Sequence, residues 1–512
     1  MSLKKNILAN YVSQFSIAII GVIMMPMYIK YMGVEAYGLV GFYIMIQAWT
    51  QLLDMGMTPT LLRETARYRG GGISLRTLRQ LTRTLETIFF CFSFCIALIA
   101  FHCSNLVAKN WLNVEHLPLK EVQLSIILIV FAVLLRWISN LYRGIISGAE
   151  KFVWLAVYNT SISIARFIVI LPVILWVNNG PVAFFTHQFL ISLTEIILLK
   201  LKSRRLYLQD AGDEAKQGKI FFFHWKSLRS VLKFSSTIAF TTSIWAIVTQ
   251  ADKLILSKIL TLTDYAYFTL AVLASSCIML LSGTTGTALM PRFSKLNFEN
   301  RKNEITVLYR LATLFTGALS IPVTLALIFF TKPILFIWTG DVEIAINTEQ
   351  LLSLYSIGNG LLVFNSFPYY LQYANGNLKF HFLGSILFAL FFLPLLFLLS
   401  FKYGVIGAGW SWLTINLIFF IAWIPYIHSQ LYPKLHLKWL FNDILPSLAY
   451  CLPVAFTLNY FIIWPSSRTQ TFFILLTSCI ILLCSTMIPL LFSLKIIKLS
   501  HVQKQYEKYF AR

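Results

Sequence analysis

The chain is poor in charge, and acid is scarcest. Only 12% of its 512 residues are Asp, Glu, Lys or Arg, with 20 acids against 42 bases, where a soluble domain carries about 25% charged residues. A soluble protein of this length could not cover its surface with so few charges, so a soluble globular fold is excluded. The seven cysteines form no CxxC or Cys/His metal spacing, and no HExxH or Ser/His/Asp arrangement can be read among the eight histidines. No metal, cofactor or catalytic group is therefore expected. Polar stretches are short as well, the longest running over 202–233, which leaves no room for an extramembrane domain. What the chain has in abundance is apolar sequence, at 58%, with a mean hydropathy of +0.73. A chain whose solvent is lipid needs charge only in its loops. The net charge of +22 would suggest a nucleic-acid partner in a soluble protein, but these cations lie between the apolar runs, as membrane topology requires, and no nucleic acid is expected.

About 20 apolar residues cross a bilayer as helix. Fourteen segments qualify: 7–29, 37–58, 84–107, 122–146, 153–177, 182–201, 234–259, 264–290, 311–335, 350–371, 380–400, 405–427, 444–464 and 471–492. The first follows Lys4 and Lys5, contains Pro26, has no A-x-A site and is too long for a signal-peptide core, so it reads as a retained span. Placing both termini in the cytoplasm puts 32 of the 42 cations inside and seven outside, with Arg136, Arg166 and Lys253 within spans. That asymmetry supports the orientation. The stretch 202–233 ends in Phe221-Phe222-Phe223-His224-Trp225, the pattern of an interfacial helix on the cytoplasmic leaflet. It separates two halves with a faint internal likeness. Lys30, Tyr37 and Gly38 recur as Lys258, Tyr265 and Ala266, and Gly56 with Arg63 recurs as Gly286 with Arg292. The expected architecture is an all-α polytopic membrane protein of about fourteen transmembrane helices. It comprises a six-helix lobe over 1–201, a linker over 202–233, a second six-helix lobe over 234–427, and two further helices with a basic tail over 428–512. Repeats of this kind build two pseudo-symmetric lobes around a central cavity.

Polar residues inside the apolar segments follow helical spacing. Arg136, Ser139, Asn140, Arg143 and Ser147 share one face of the fourth segment, and Asn159, Ser163 and Arg166 one face of the fifth. The second segment carries Gln47, Gln51, Asp54 and Thr58, and the seventh Thr242, Trp245, Thr249 and Asp252, with Lys253 adjacent. The first adds Asn6, Asn10 and Gln14. A cation at the bilayer centre costs about 2.5–3.5 kcal/mol on insertion scales, so Arg136 and Arg166 must be compensated. One reading is structural: the arginines pair with Glu195 or Asp54, and Arg143 reaches back to the cytoplasmic face. The other is a hydrated cavity in which Arg136, Arg166, Lys253 and Arg143 receive an anionic substrate, lined by Gln47, Gln51, Asp54, Asn140, Asn159 and Thr249. Arginine suits phosphate because its planar fork donates parallel hydrogen bonds and stays charged when desolvated. Asp252 and Glu195 are candidates for ion coupling, with a structural role for Asp252 equally open.

Short stretches of the chain also resemble a known family. These are Asn6-Ile7 with Pro26-x-Tyr28-Ile29-x-x-x-Gly33-x-Glu35-x-Tyr37-Gly38-Leu39, Gln250-x-Asp252-Lys253, Pro291-Arg292-Phe293-Ser294, Ile337-Trp338-Thr339-Gly340 and Tyr403-Gly404-Val405-Ile406-Gly407-Ala408. In this order they resemble the polysaccharide-transporter family, the O-antigen flippases of the superfamily that also holds multidrug antiporters and lipid II flippases. The resemblance implies a multi-pass protein of the bacterial inner membrane and not an enzyme. Such a protein carries an undecaprenyl-pyrophosphate-linked oligosaccharide from the cytoplasmic to the periplasmic leaflet by alternating access, with no cofactor and with coupling to H+ or Na+. A polysaccharide polymerase and a chain-length regulator are the expected partners. The cationic residues of the cavity would meet the pyrophosphate or acidic sugars. A drug or metabolite antiporter of the same superfamily is the nearest alternative, although export of cations favours acidic lumen residues. A membrane polysaccharide polymerase is the other, and it would need a larger outer loop bearing catalytic groups.

Overall fold

A computed structural model describes residues 3–177, 180–211, 243–299, 301–375 and 377–510. Among the described residues the chain is helical throughout, the only β feature being an isolated bridge between Asn113 and Thr261. Ten helical stretches are long and apolar enough to cross a membrane, so this is a multi-pass membrane protein. One of them, Lys379–Leu431, covers two of the expected segments, 380–400 and 405–427. The segments 37–58 and 350–371 fall on helices whose apolar runs are broken by polar side chains, and 234–259 is described only from 243 onward. Fourteen crossings are compatible with this helix inventory. The interfacial segment expected around 221–225 lies outside the described residues, as does Thr242.

The chain forms two compact units, Met1–Ala266 and Tyr267–Arg512. In the first, the helices are α1 (Leu3–Met32), α2 (Val34–Leu53), α3 (Met57–Arg69), α4 (Leu75–Leu106), α5 (Leu119–Gly148), α6 (Phe152–Phe167), α7 (Ile170–Trp176), α8 (Pro181–Ala211), α9 (243–259) and the first turn of α10 (Leu262–Phe298). The hub is α5, which packs on α2, α3, α4 and α8, while α1 packs on α6. Leu81, Leu85, Phe89, Leu134, Trp137, Ile138, Leu141, Ile145 and Leu199 fill the space between α4, α5 and α8. At the end of α5 no side chain separates the backbones. A Cβ on Gly148 would lie 2.4 Å from the carbonyl oxygen of Leu62 and 2.7 Å from Thr65 Cβ, so only glycine allows α3 to lie this close.

Two segments are helical further than their apolar runs suggest. Helix α4 starts at Leu75, not near 84, because Leu75, Leu78, Leu81 and Leu85 bury one stripe while Arg76 and Arg83 stay exposed on the other. Ser74 caps it by accepting from Thr77 N at 3.3 Å. The cation-rich stretch after α2 is likewise the amphipathic helix α3, with Leu61, Glu64 and Thr65 buried and Arg63 and Arg67 exposed.

The second unit holds the rest of α10 and α11 (Lys302–Phe329), α12 (Thr331–Thr339), α13 (Val342–Asn365), α14 (Phe367–Ala374), α15 (Lys379–Ile418), α16 (Ile424–Leu431), α17 (Leu435–Lys438), α18 (Leu445–Phe461) and α19 (Arg468–Phe510). Helix α11 is its hub, packing on α13, α18 and α19. Helix α15 is two spans joined at Gly404, whose φ of 56° and ψ of −133° are open to glycine and strained for any side chain. The Arg310 guanidinium forks onto the buried Asp443 carboxylate with both contacts at 2.7 Å. Nearby, Tyr309 Oη pairs with His428 Nε2 at 2.8 Å, and Trp439 donates to Thr313 Oγ1 at 2.9 Å.

Candidate functional site

The motif stretches explain themselves first as structure. Glu35, the second residue of α2 and buried, accepts from the backbone N–H groups of Glu115 (2.7 Å), His116 (3.1 Å) and Leu117 (3.1 Å). It clamps the loop before α5. In the second unit Arg468 donates to the carbonyls of Ile337 (2.8 Å) and Trp338 (3.1 Å), satisfying the end of α12 just before Gly340 turns the chain. These residues hold corners of the fold.

The chemistry gathers in the first unit, at one carboxylate. Glu195 of α8 has a side chain only 2% exposed, and three guanidinium groups surround it. Arg166 Nη2 lies 2.7 Å from Oε2, Arg143 Nη2 donates to Oε1, and Arg136 Nε is 3.9 Å from Oε2. A second tier orients the arginines. Tyr43 Oη accepts from both Arg136 and Arg166 at 3.1 Å, Gln47 accepts from Arg136, and Asn159 accepts from Arg143. Gln188 Oε1 accepts from Arg166 at 3.0 Å, and its amide nitrogen returns a bond to the Arg166 carbonyl at 3.1 Å. Three positive charges on one negative leave an excess of two.

Four helices supply these groups on one repeated spacing. Tyr43, Gln47 and Thr50 on α2, Arg136, Asn140 and Arg143 on α5, Asn159, Ser163 and Arg166 on α6, and Gln188, Ser192 and Glu195 on α8 all follow i, i+4, i+7. Each triplet lies on one face of its helix, and members of all four triplets face a common space. They enclose a cavity of about 540 Å³ whose walls include Arg136, Asn140, Arg143, Asn159, Arg166 and Glu195, with Tyr28, Trp137, Phe167 and Phe184 as aromatic surfaces.

Of the residues expected to bind substrate, Arg136, Arg143 and Arg166 come together, and Gln47, Asn140 and Asn159 line the same cavity. The three arginines pair with Glu195, as the structural reading expects, and they also face a cavity. Lys253 stands elsewhere: its Nζ donates to the Thr249 carbonyl at 2.7 Å and lies 3.7 Å from Asp252 Oδ1. Although adjacent side chains on a helix diverge, the long lysine curls back to meet Asp252. Neither residue lines the cavity, nor does Thr249, which donates to the Trp245 carbonyl. Asp54 is also absent from its walls. Its carboxylate accepts from Thr58 N at 3.3 Å and bonds the Thr58 hydroxyl, fastening the turn from α2 into α3. The side chain of Gln51 lies outside the described residues, as do those of Asn6 and Asn10. Tyr43, Gln188 and Ser192 were not anticipated, although the i, i+4, i+7 spacing that revealed Arg166 would have found them on α2 and α8.

Comparison with known proteins agrees with this architecture. A "Putative O-antigen transporter" of Shigella flexneri is 21% identical over 433 residues, which is 84% of this chain and 99% of that protein. The fold is similar to that of a lipid II flippase, MurJ, solved in an inward-closed conformation, with a TM-score of 0.68, 17% identity, and coverage of 97% of this chain and all of that one. It is also similar to an inward-facing multidrug-resistance MATE transporter of the MOP superfamily, with a TM-score of 0.65, 11% identity, and coverage of 80% of this chain and 95% of that one. The profile of one family, described as polysaccharide biosynthesis proteins, matches residues 3–297. That match spans more than half of the sequence and includes all four polar stripes: the chain belongs to the polysaccharide biosynthesis protein family.

Proposed function

We propose that this protein is a flippase that moves a polyprenyl-pyrophosphate-linked oligosaccharide, the repeat unit of O-antigen or a related surface polysaccharide, from the cytoplasmic to the periplasmic leaflet of a bacterial inner membrane by alternating access. One observation carries the proposal. A membrane-spanning unit holds a cavity with three arginines on a single carboxylate, an excess of two positive charges where charge is most costly. Such an excess is compensated when an anion enters. Guanidinium groups suit phosphoryl oxygens because they donate in parallel and keep their proton in a desolvated site. Around them Asn140 and Ser163 offer groups for sugar hydroxyls, and Trp137, Phe167 and Phe184 offer flat apolar surfaces for sugar rings. At about 540 Å³, a size common among small-molecule sites, the cavity accommodates the phosphates and first sugars of such a substrate. The polyprenyl tail meanwhile stays in lipid.

The antiporter alternative asks for a cavity that favours cations. Among the described residues, the one carboxylate in the cavity wall is outnumbered three to one by arginines, which favours anionic cargo.

The test is the sidedness of lipid-linked oligosaccharide in membranes of cells depleted of this protein. Accumulation of intact repeat units facing the cytoplasm is expected. Unpolymerised units on the outer leaflet would show that translocation does not need this chain.

A further inference from the structure

The three arginines are not equivalent. A guanidinium carries five N–H donors. Arg166 is 4% exposed, and both of its terminal nitrogens are engaged: Nη1 with Tyr43, Gln188 and Ser192, Nη2 with Glu195 and Ser192. Arg136 and Arg143 are 25% and 24% exposed. Arg136 spends Nη1 on Tyr43 and Gln47, and among the described residues no protein group takes its Nη2. Arg143 donates once from each terminal nitrogen, to Asn159 and Glu195, and no described group takes its Nε. The two lie on one face of α5 about 10.5 Å apart along its axis, with Asn140 between them on the cavity wall.

From this we infer a division of labour within the proposed substrate site: Arg136 and Arg143 are the groups that receive the substrate's anion, whereas Arg166 and Glu195 are a fixed buried pair that positions them. The inference rests on the flippase reading above. Glu195 does two things in this scheme. It lies between guanidinium groups that would otherwise repel one another, and it stays with Arg166, so the pair is neutral and the two exposed arginines supply the excess charge. That excess of two equals the charge of a diphosphate ester substituted at both ends, the linkage between a polyprenol and a sugar. A carboxylate on an acidic sugar would satisfy half of it. The shared chemistry is a bound oxyanion, and the two sources differ in charge.

The experiment is calorimetric titration of the purified full-length protein in detergent with a nucleoside-diphosphate sugar, which carries a diphosphate substituted at both ends, and separately with glucuronate. Wild-type protein should bind the diphosphate more tightly. Glucuronate bound as tightly would mean that the site reads a carboxylate, overturning the charge match, and binding of neither probe would refute the anion-cavity reading itself. Arg136→Gln and Arg143→Gln should each weaken binding by about tenfold or more, the worth of a charge-assisted contact, and flatten its salt dependence without lowering the unfolding temperature. The double variant Arg166→Met/Glu195→Gln removes a neutral pair that positions the other two arginines, so it should weaken binding while keeping the wild-type salt dependence, because the excess charge that meets the anion is unchanged. Should the double variant flatten the salt dependence as Arg143→Gln does, Arg166 contacts the ligand and the division is wrong. It is equally wrong if the Arg136 and Arg143 variants bind like wild type. Should the double variant not fold, Arg166→Lys, which retains the buried charge, takes its place under the same salt-dependence criterion.

Discussion

Replacing Glu195 by Gln tests how the site is held together. The carboxylate is 2% exposed, and Arg166, 4% exposed, has no other anion in contact among the described residues. Glutamine keeps the shape, but its amide nitrogen meets a guanidinium and its charge is gone. Removing one partner of a buried ion pair costs about 3–5 kcal/mol, because the other charge remains buried and uncompensated. Arg136 and Arg143 contribute less, being a quarter exposed and screened by water in the cavity. Against a total stability of about 5–15 kcal/mol the loss is large. At about 2–4 °C per kcal/mol for a unit of this size, the melting temperature should fall by roughly 6–20 °C. Adding Arg166→Met should restore at least half of that fall, since a buried pair replaced by neutral groups of similar volume is often tolerated. The assay is thermal unfolding of the detergent-solubilised wild type, both single variants and the double variant, read as a mutant cycle. A Glu195→Gln protein that melts within a degree of wild type, or a double variant that melts lower than either single one, would refute the argument that Arg166 and Glu195 form one compensated unit.

Two further outcomes follow from packing elsewhere. Gly148→Ala places a Cβ 2.4 Å from the Leu62 carbonyl oxygen, so α3 must move off α5; a loss of about 1–3 kcal/mol is expected, as for other overpacked contacts, and unchanged thermal stability would contradict the close approach of the two backbones. Asp443→Asn in the second unit removes the negative charge and one of the two acceptor oxygens that hold Arg310 at 2.7 Å and should destabilise by about 3–5 kcal/mol, measured by the same unfolding assay, with full stability retained as the contrary result.

Much of the architecture follows from local sequence, because a membrane protein's class and helices depend on local properties. Apolar run length, read within each segment, marks the chain as a multi-pass membrane protein. Polar spacing works in the same way. Arg136, Asn140 and Arg143 share a face of α5, and Asn159, Ser163 and Arg166 a face of α6, wherever those helices stand, because 3.6 residues per turn puts them there. So the presence of polar stripes and the identity of two of them were legible from the residues alone.

Which stripes meet was not. Periodicity places side chains around their own axis but leaves open how each helix is rotated against its neighbours, and that is decided by ridges, grooves and close contacts distant in sequence. The sequence shows Lys253 as a third cation within a span, equal in standing to Arg136 and Arg166. The tertiary structure turns it toward Thr249 and Asp252, and of the two acids the sequence offers as partners for the arginines it brings Glu195, not Asp54, to Arg136, Arg143 and Arg166. Asp54 and Glu35 are likewise bare acids in the sequence. Only the fold makes one a clasp on the turn before α3 and the other a clamp on the loop before α5. The sequence by itself determined that this chain lives in a membrane and carries charge there, since hydropathy and helical period are properties of neighbouring residues. The convergence of three arginines from two helices on one carboxylate from a third was decided by tertiary packing, since charges 29 to 59 residues apart interact strongly only when the fold has brought them within a few ångströms and taken away the water between them.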